Sequence, residues 1–390
     1  MPDVRSCVPD DVRSWVALDV HKLSIVAAVL PPAGGKPEVV ELENTPRALR
    51  RLVGRLGGPE GLAVAYEAGP AGWSIHRQLA DLGVACDLIA PALIPVRPGD
   101  RVKTDRRDAK KLVRLLRAGE LSFCAPPTPE QEGLRDLIRC REDLRDNRTR
   151  ARHRVIKALL RHGHVFHDGK HWTQKHERWL DRQRLEDPHA QLALETMTAH
   201  LRMIDTQIAQ LERISTHEMW VPGVRVLCGF RGLSTLTALG LLLEIGDFRR
   251  FATPRELMSF LGLTPSEYSS GQQRHRGHIT KAGPVHARRL LIEAAWHYRH
   301  PPRLSERHRK LAKDGLIAPT VAARAWQAQS RLNHRHRVLA QRGKPATVAN
   351  VAVARELVGF LWAAMTEQPF RTDPTTPTST PTPKQELTTA

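Results

Sequence analysis

Acidic side chains are in short supply. The 390 residues carry 60 Lys plus Arg but only 41 Asp plus Glu, a formal charge of +19 before any of the 19 histidines protonates. A polyanionic partner is therefore expected, nucleic acid above all. Cysteine is scarce too: the five (Cys7, Cys86, Cys124, Cys140, Cys228) lie far apart with no C-x-x-C pair. That leaves a disulfide framework or a cysteine zinc site without support and fits a reducing compartment. The longest apolar stretch, Leu233 to Ile245, is interrupted by Ser234, Thr235 and Thr237 and falls short of the roughly 20 residues that span a bilayer. Met1 to Ser14 shows no apolar core of signal-peptide kind. The basic residues are spread over many segments instead of one amphipathic face, so no membrane partner is expected. The hydrophobic fraction, 41%, suffices for real cores and excludes global disorder.

The pattern predicts an α/β domain followed by all-α regions. Over residues 1–125, apolar runs at Trp15 to Val20, Ser24 to Leu30, Val39 to Leu42, Gly61 to Tyr66 and Val84 to Ile89 read as strands. Helices are predicted from about Pro46 to Leu56 and Gly72 to Leu82. A meander followed by alternating strands and helices is the order expected of a ribonuclease-H-like mixed sheet. Over residues 126–217, Leu134, Leu137, Ile138, Leu144 and then Leu192, Leu194, Met197, Leu201, Ile204, Ile208, Leu211 recur at three- and four-residue steps. They predict a helical coiled-coil hairpin suited to assembly. Residues 218–368 read as a third, mainly helical domain, and the Thr/Pro-rich tail 369–390 as disordered.

Four carboxylates attract attention. Asp19 stands inside the apolar run Val16 to Val20, where an ionised group wants a cation or a donor. Glu67 ends the run Leu62 to Tyr66, where a strand gives way to a loop. Asp105 and Asp108 are three apart at a helix start and share a face. Converging, the four could cage hard divalent cations, and a Mg²⁺ pair suits phosphoryl transfer. Taken singly, each also fits a plain role: a hydrogen-bonded strand Asp, a turn Glu, a helix cap.

Jointly, Trp15-Val-Ala-Leu-Asp-Val-His-Lys22, Tyr66-Glu-Ala-Gly-Pro70 and Val102-Lys-Thr-Asp-Arg-Arg-Asp-Ala-Lys110 resemble the DEDD transposases of insertion sequences. That family joins a RuvC-like N-terminal domain to a C-terminal serine transposase domain and is related to pilin-gene invertases. The likeness continues through Gly262-Leu-Thr-Pro265, Tyr268-Ser-Ser-Gly271, Ile279-Thr-Lys-Ala-Gly283 and Asn350 to Leu357. The resemblance implies a bacterial, cytoplasmic, nucleoid-associated recombinase, a homo-oligomer that cleaves and exchanges strands of donor and target DNA. Asp19, Glu67, Asp105 and Asp108 would hold Mg²⁺. Ser269, with Ser270 as the alternative, would attack DNA to form a covalent phosphoserine link, the acidic and serine domains building a composite site. A structured non-coding RNA, the bridge RNA, would supply sequence specificity by base pairing.

Without the resemblance, Tyr268 to Gly271 reads as a polar turn between two helices whose serines cap the second. Arg274, Arg276 and Lys281 stand near it, ready to neutralise phosphate. Residues 271–345 hold 17 Lys plus Arg against 3 acids, and Arg288, Arg289, Arg331, Arg335 and Arg337 are further candidate nucleic-acid contacts. A second basic stretch, Arg135 to Arg178, could touch RNA backbone. His162-x-His164-x-x-His167 lacks a completing ligand, and no zinc is assigned. Gly229 to Ala238 resembles a helix-hairpin-helix segment in which Gly232-Leu-Ser234 replaces the usual Gly-Ile-Gly. Two rival functions remain at this level: a metal-dependent junction nuclease with water as nucleophile, and a non-catalytic nucleic-acid-binding protein.

Overall fold

The computed structural model describes residues 7–69, 71–95, 104–214, 221–270 and 273–367; the expected tail, 369–390, lies outside them. Two compact units divide the chain, 1–130 and 131–390.

In the first unit, β1 (Ser14–Val20), β2 (Ser24–Leu30) and β3 (Glu38–Glu43) form an antiparallel meander. Helix α1 (Pro46–Arg55) leads to β4 (Leu62–Glu67), α2 (Ser74–Asp81) to β5 (Cys86–Ile89), and α3 (Asp105–Arg117) to the short β6 (Phe123–Cys124). The strand order is β3-β2-β1-β4-β5-β6, with β4 parallel to β1 and to β5. Along the chain the elements follow the sequence pattern, a meander and then strands alternating with helices; β6 is an addition to it. Both faces are covered, which is why β1, β2 and β4 read as continuous apolar runs. Val16, Leu18, Val64 and Tyr66 face one core. On the other face Ala17, Ala28 and Ala65 meet Ala109, Leu112, Val113 and Leu116 of α3, small residues admitting the helix backbone closely.

In the second unit, α4 (Pro129–Arg161) and α6 (Pro188–Ile214) lie antiparallel, with α5 (Gln174–Leu180) against them. Ala151 packs with Leu201, Ile204 and Ile208, and Val155 and Leu159 with Leu180 and Leu194. Arg141 Nε donates to Glu212 at 2.9 Å and Arg148 Nη1 to Asp205 at 3.2 Å, so charged pairs fix the register. Arg141 and Arg148 of the basic stretch Arg135 to Arg178 are thereby committed to helix contacts, while Arg150, Arg154 and Lys157 are exposed. Arg152 lies over the Trp172 ring at 4.8 Å.

The rest of this unit comprises α7 (Val221–Cys228), α8 (Thr235–Ile245), α9 (Pro254–Phe260), a hairpin of β7 (Pro265–Ser270) and β8 (Gln273–Ile279), α10 (Val285–Ala295), α11 (Glu306–Lys313), α12 (Pro319–Gln341) and α13 (Ala346–Thr366). One core joins Leu239 and Leu242 of α8, Leu291 of α10, Leu332 of α12 and Leu357 of α13. Among the described residues α13 alone is long and apolar enough to cross a bilayer, and half of its most apolar window is buried. Its Val353, Leu357 and Leu361 are core residues. The tight turn between α7 and α8 places Gly232 at φ +86°, where a Cβ would stand 2.5 Å from the Ala294 carbonyl oxygen. Ser234 caps α8 by accepting from Thr237 N at 3.2 Å.

Helix α4 is tied into this core by charge. Arg135 Nε donates to Leu243 O at 2.8 Å and Arg139 Nη2 to Glu244 at 2.9 Å. The His286 ring lies between two carboxylates, Nε2 at 2.9 Å from Glu142 and Nδ1 at 3.1 Å from Glu244. Burial works to raise the Glu244 carboxyl, but the His286 hydrogen bond and the Arg139 guanidinium override it and hold the group below its ordinary range.

Candidate active site

Strand alternation decides which acids meet. Ala17 and Ala65 are paired across β1 and β4, and both face α3. Two residues further along each strand, Asp19 and Glu67 point the same way. Thr104 caps α3 by accepting from Arg107 N at 3.4 Å, which puts Asp105 and Asp108 in the first turn, where the helix dipole favours negative charge. The carboxylates of Asp19 and Asp105 and the imidazole of His21 converge, with one ligand atom from each within 4.8 Å of the others. His21 Nε2 lies 3.5 Å from Asp19 Oδ2 and 3.2 Å from Asp105 Oδ2.

Glu67 ends β4 and is exposed, and Asp108 is half-buried; neither belongs to that close group among the described residues. Asp108 Oδ2 is nonetheless shielded from solvent without a hydrogen-bond partner, a costly state unless a cation or donor arrives. Carboxylate oxygens with an orphan among them fit a hard divalent ion. The sequence reading missed His21. Its i+2 relation to Asp19 was the available signal, since extending β1 by one residue beyond Val20 would place both on one face.

The serine segment departs from the expected loop. Tyr268 to Ser270 belong to the antiparallel hairpin β7–β8, in which Ser269 is opposite Arg274 and Tyr268 opposite His275. The hairpin went unseen because neither strand carries the apolar alternation that marks a half-buried strand. The register pairs Ser270 with Gln273 and, next along, Ser269 with Arg274, while Arg276 pairs with Glu267. At the hairpin's root Gly262, φ +63°, lies so near that a Cβ would meet Ala282 O at 2.3 Å. Lys281 N donates to Gly262 O at 3.1 Å with Lys281 itself left-handed at φ +57°. Beside the hairpin a cavity of about 490 Å³ is lined by Leu263, Ile279, Val351 and the cations Lys281 and Arg355.

The other basic candidates divide. Arg288 requires correction: it is 7% exposed, and its guanidinium donates to Leu261 O at 3.0 Å and Ala282 O at 2.7 Å. A side chain so enclosed holds the protein together and does not reach a phosphate. Arg289 contacts Glu142 and, at 2.9 Å, Glu293. Arg331 contacts Glu356, and Arg335 lies 4.0 Å from it. Arg337 is exposed. Of the three spaced histidines, His164 Nδ1 lies 2.7 Å from Gln183 Oε1.

Comparison with known proteins gives two family matches along the chain. Residues 16–163, which contain the four acids, match a DEDD-type family profile described as a transposase. Residues 224–331, which contain Ser269, match the transposase IS116/IS110/IS902 family. The protein y4qE of Sinorhizobium fredii, named as a transposase, is 40% identical over 92% of this chain and 90% of its own length. The transposase for insertion sequence element IS1533 of Leptospira borgpetersenii is 30% identical over 74% of this chain and 86% of its own. The transposase for IS1328 of Yersinia enterocolitica is 26% identical over 60% and 69%.

Proposed function

Because the chain belongs to the IS110/IS116/IS902 family of insertion-sequence transposases, we propose that it cleaves and rejoins DNA through a phosphoserine intermediate on Ser269. The observation that carries the metal-dependent half of this reading is the convergence of Asp19 and Asp105, from a strand and a helix far apart in sequence, on one point. Asp19, Glu67, Asp105 and Asp108 are the ligands, and Mg²⁺ is the cation that their oxygens suit. When bound, such a cation offsets charge on the phosphate oxygens.

In the covalent step the Ser269 hydroxyl gives up its proton and its oxygen bonds to phosphorus while one bridging P–O bond breaks, releasing a DNA hydroxyl. Attack by the hydroxyl of a different strand reverses the step and reseals the backbone. Bond energy is conserved, so no nucleotide cofactor is required. Arg274 and Arg276, on the strand that pairs with the serine strand, and Lys281 supply positive charge for the phosphate.

The partners in this reading are donor and target DNA, further copies of the chain, and a structured RNA. The 17 Lys plus Arg against 3 acids over residues 271–345 support a nucleic-acid partner, since such contacts position a phosphate backbone but carry little sequence information; the RNA itself is what the family resemblance implies. The test is a denaturing gel after incubation with DNA and Mg²⁺. Ser269→Ala should abolish the protein–DNA adduct, and Asp19→Asn should abolish cleavage while binding persists. An adduct surviving in a variant that lacks both Ser269 and Ser270 would sink the serine mechanism. Cleavage to free ends without any adduct would favour water as the nucleophile.

A further inference from the structure

Resting on the reading of Asp19 and Asp105 as metal ligands, we infer that His21 Nε2 is a third ligand to the same cation. Three observations carry this. The first is spacing. Ligand atoms about 2.1 Å from an ion stand about 3.0–3.4 Å apart on adjacent corners of an octahedron or tetrahedron. Nε2 is 3.2 Å from Asp105 Oδ2 and 3.5 Å from Asp19 Oδ2, so shifts of a few tenths of an ångström bring it into a coordination shell.

The second is alignment. Although 42% of the His21 side chain is open to solvent, Nε2 itself is shielded and makes no hydrogen bond. It lies within ion-pair reach of both oxygens without the directional fit that a hydrogen bond demands. A nitrogen aimed between two carboxylates suits an ion placed between them.

The third is backbone support. His21 N donates to Ser24 O at 2.9 Å, and His21 O accepts from Asn44 Nδ2 at 2.8 Å. The turn that carries the ring is held from both sides, and the adjoining β1 side chain on the same face is Asp19. A ring on so fixed a base is held ready for a ligand's place.

A mixed nitrogen and oxygen set has a chemical consequence. Imidazole favours transition metals, whereas Mg²⁺ and Ca²⁺ prefer oxygen alone. His21 therefore tilts this centre toward Mn²⁺ relative to a centre built of carboxylates only.

The experiment is electron spin-echo envelope modulation on the full chain loaded with Mn²⁺, alongside a Mn²⁺ titration followed by water-proton relaxation. The wild type should show ¹⁴N coupling, and His21→Gln should lose it while Mn²⁺ affinity falls by roughly tenfold. Asp19→Asn should weaken Mn²⁺ binding without removing the nitrogen signal from the residual bound ion. Tight Mn²⁺ binding with no ¹⁴N coupling, or coupling unchanged in His21→Gln, overturns the assignment and leaves the carboxylate site standing. Tighter Mn²⁺ binding in His21→Gln would make the ring a space-filler and likewise overturn it. Failure of the wild type to bind Mn²⁺ at all would overturn the carboxylate site together with the histidine.

Discussion

Arg288 Nη1 donates to the carbonyl oxygen of Ala282 at 2.7 Å and also reaches Leu261 O at 3.0 Å. Leu261 lies ahead of β7 and Ala282 beyond β8, so one buried cation ties off both ends of the hairpin that carries Ser269. Burial lowers the Arg288 pKa from its ordinary value. Arg288→Met should leave both carbonyls without that donor and cost about 2–3 kcal/mol, read from the urea unfolding midpoint. Adduct formation should fall further than stability explains, and Arg288→Lys should recover part of both. Unchanged stability with reduced DNA affinity would instead restore Arg288 as a phosphate contact.

Lys281 offers a way to separate folding from binding. Its φ of +57° is a strained conformation for a residue with a Cβ, at a cost of roughly 1 kcal/mol. Lys281→Gly should therefore raise or leave unchanged the melting temperature while weakening DNA binding. A lower melting temperature would show that the lysine side chain matters to the fold.

The basic residues should differ in their effect on salt dependence. Arg337 is exposed, whereas Arg331 contacts Glu356. Arg337→Ala should reduce the slope of log affinity against log salt by about 1. Arg331→Ala should change it less, because its charge is already partly neutralised. Fluorescence anisotropy at several salt concentrations measures both, and equal slopes would contradict the division.

Acid should weaken the attachment of α4. The side chain of Glu244 is 8% exposed and its pKa is lowered from 4.5, burial being outweighed by the His286 and Arg139 contacts. A depressed carboxylate stabilises the fold above its ordinary value, and this contribution is lost as pH falls through the folded value. Glu244→Gln should cost about 2–3 kcal/mol at neutral pH. The gap between variant and wild type should close progressively below about pH 4.5. Denaturation across a pH series tests this, and a gap that widens in acid would reverse the assignment.

What was legible in the chain follows from which forces leave a sequence trace. Strands β1, β2 and β4 are buried on both faces, so they appear as unbroken apolar runs. Helix α3 announces itself by Thr104 and the two acids of its first turn. The hairpin left no such trace: its residues are mostly polar, and backbone pairing rather than an apolar face holds it. Arg288 misled because an arginine in a basic segment, next to Arg289, looks like surface. Only the fold brings the Leu261 and Ala282 carbonyls to it. The same holds for His21, whose proximity to Asp105 depends on α3 returning across β1.

The charged anchorage of α4 has a mechanical corollary. From Arg139 to Arg161 the helix extends about 33 Å at 1.5 Å per residue, and near its near end sit the His286, Glu142 and Glu244 contacts. A pivot of about 5° there would sweep the distal turn through about 3 Å. Any tilt of the rod would therefore be governed by a cluster of glutamates and one imidazole.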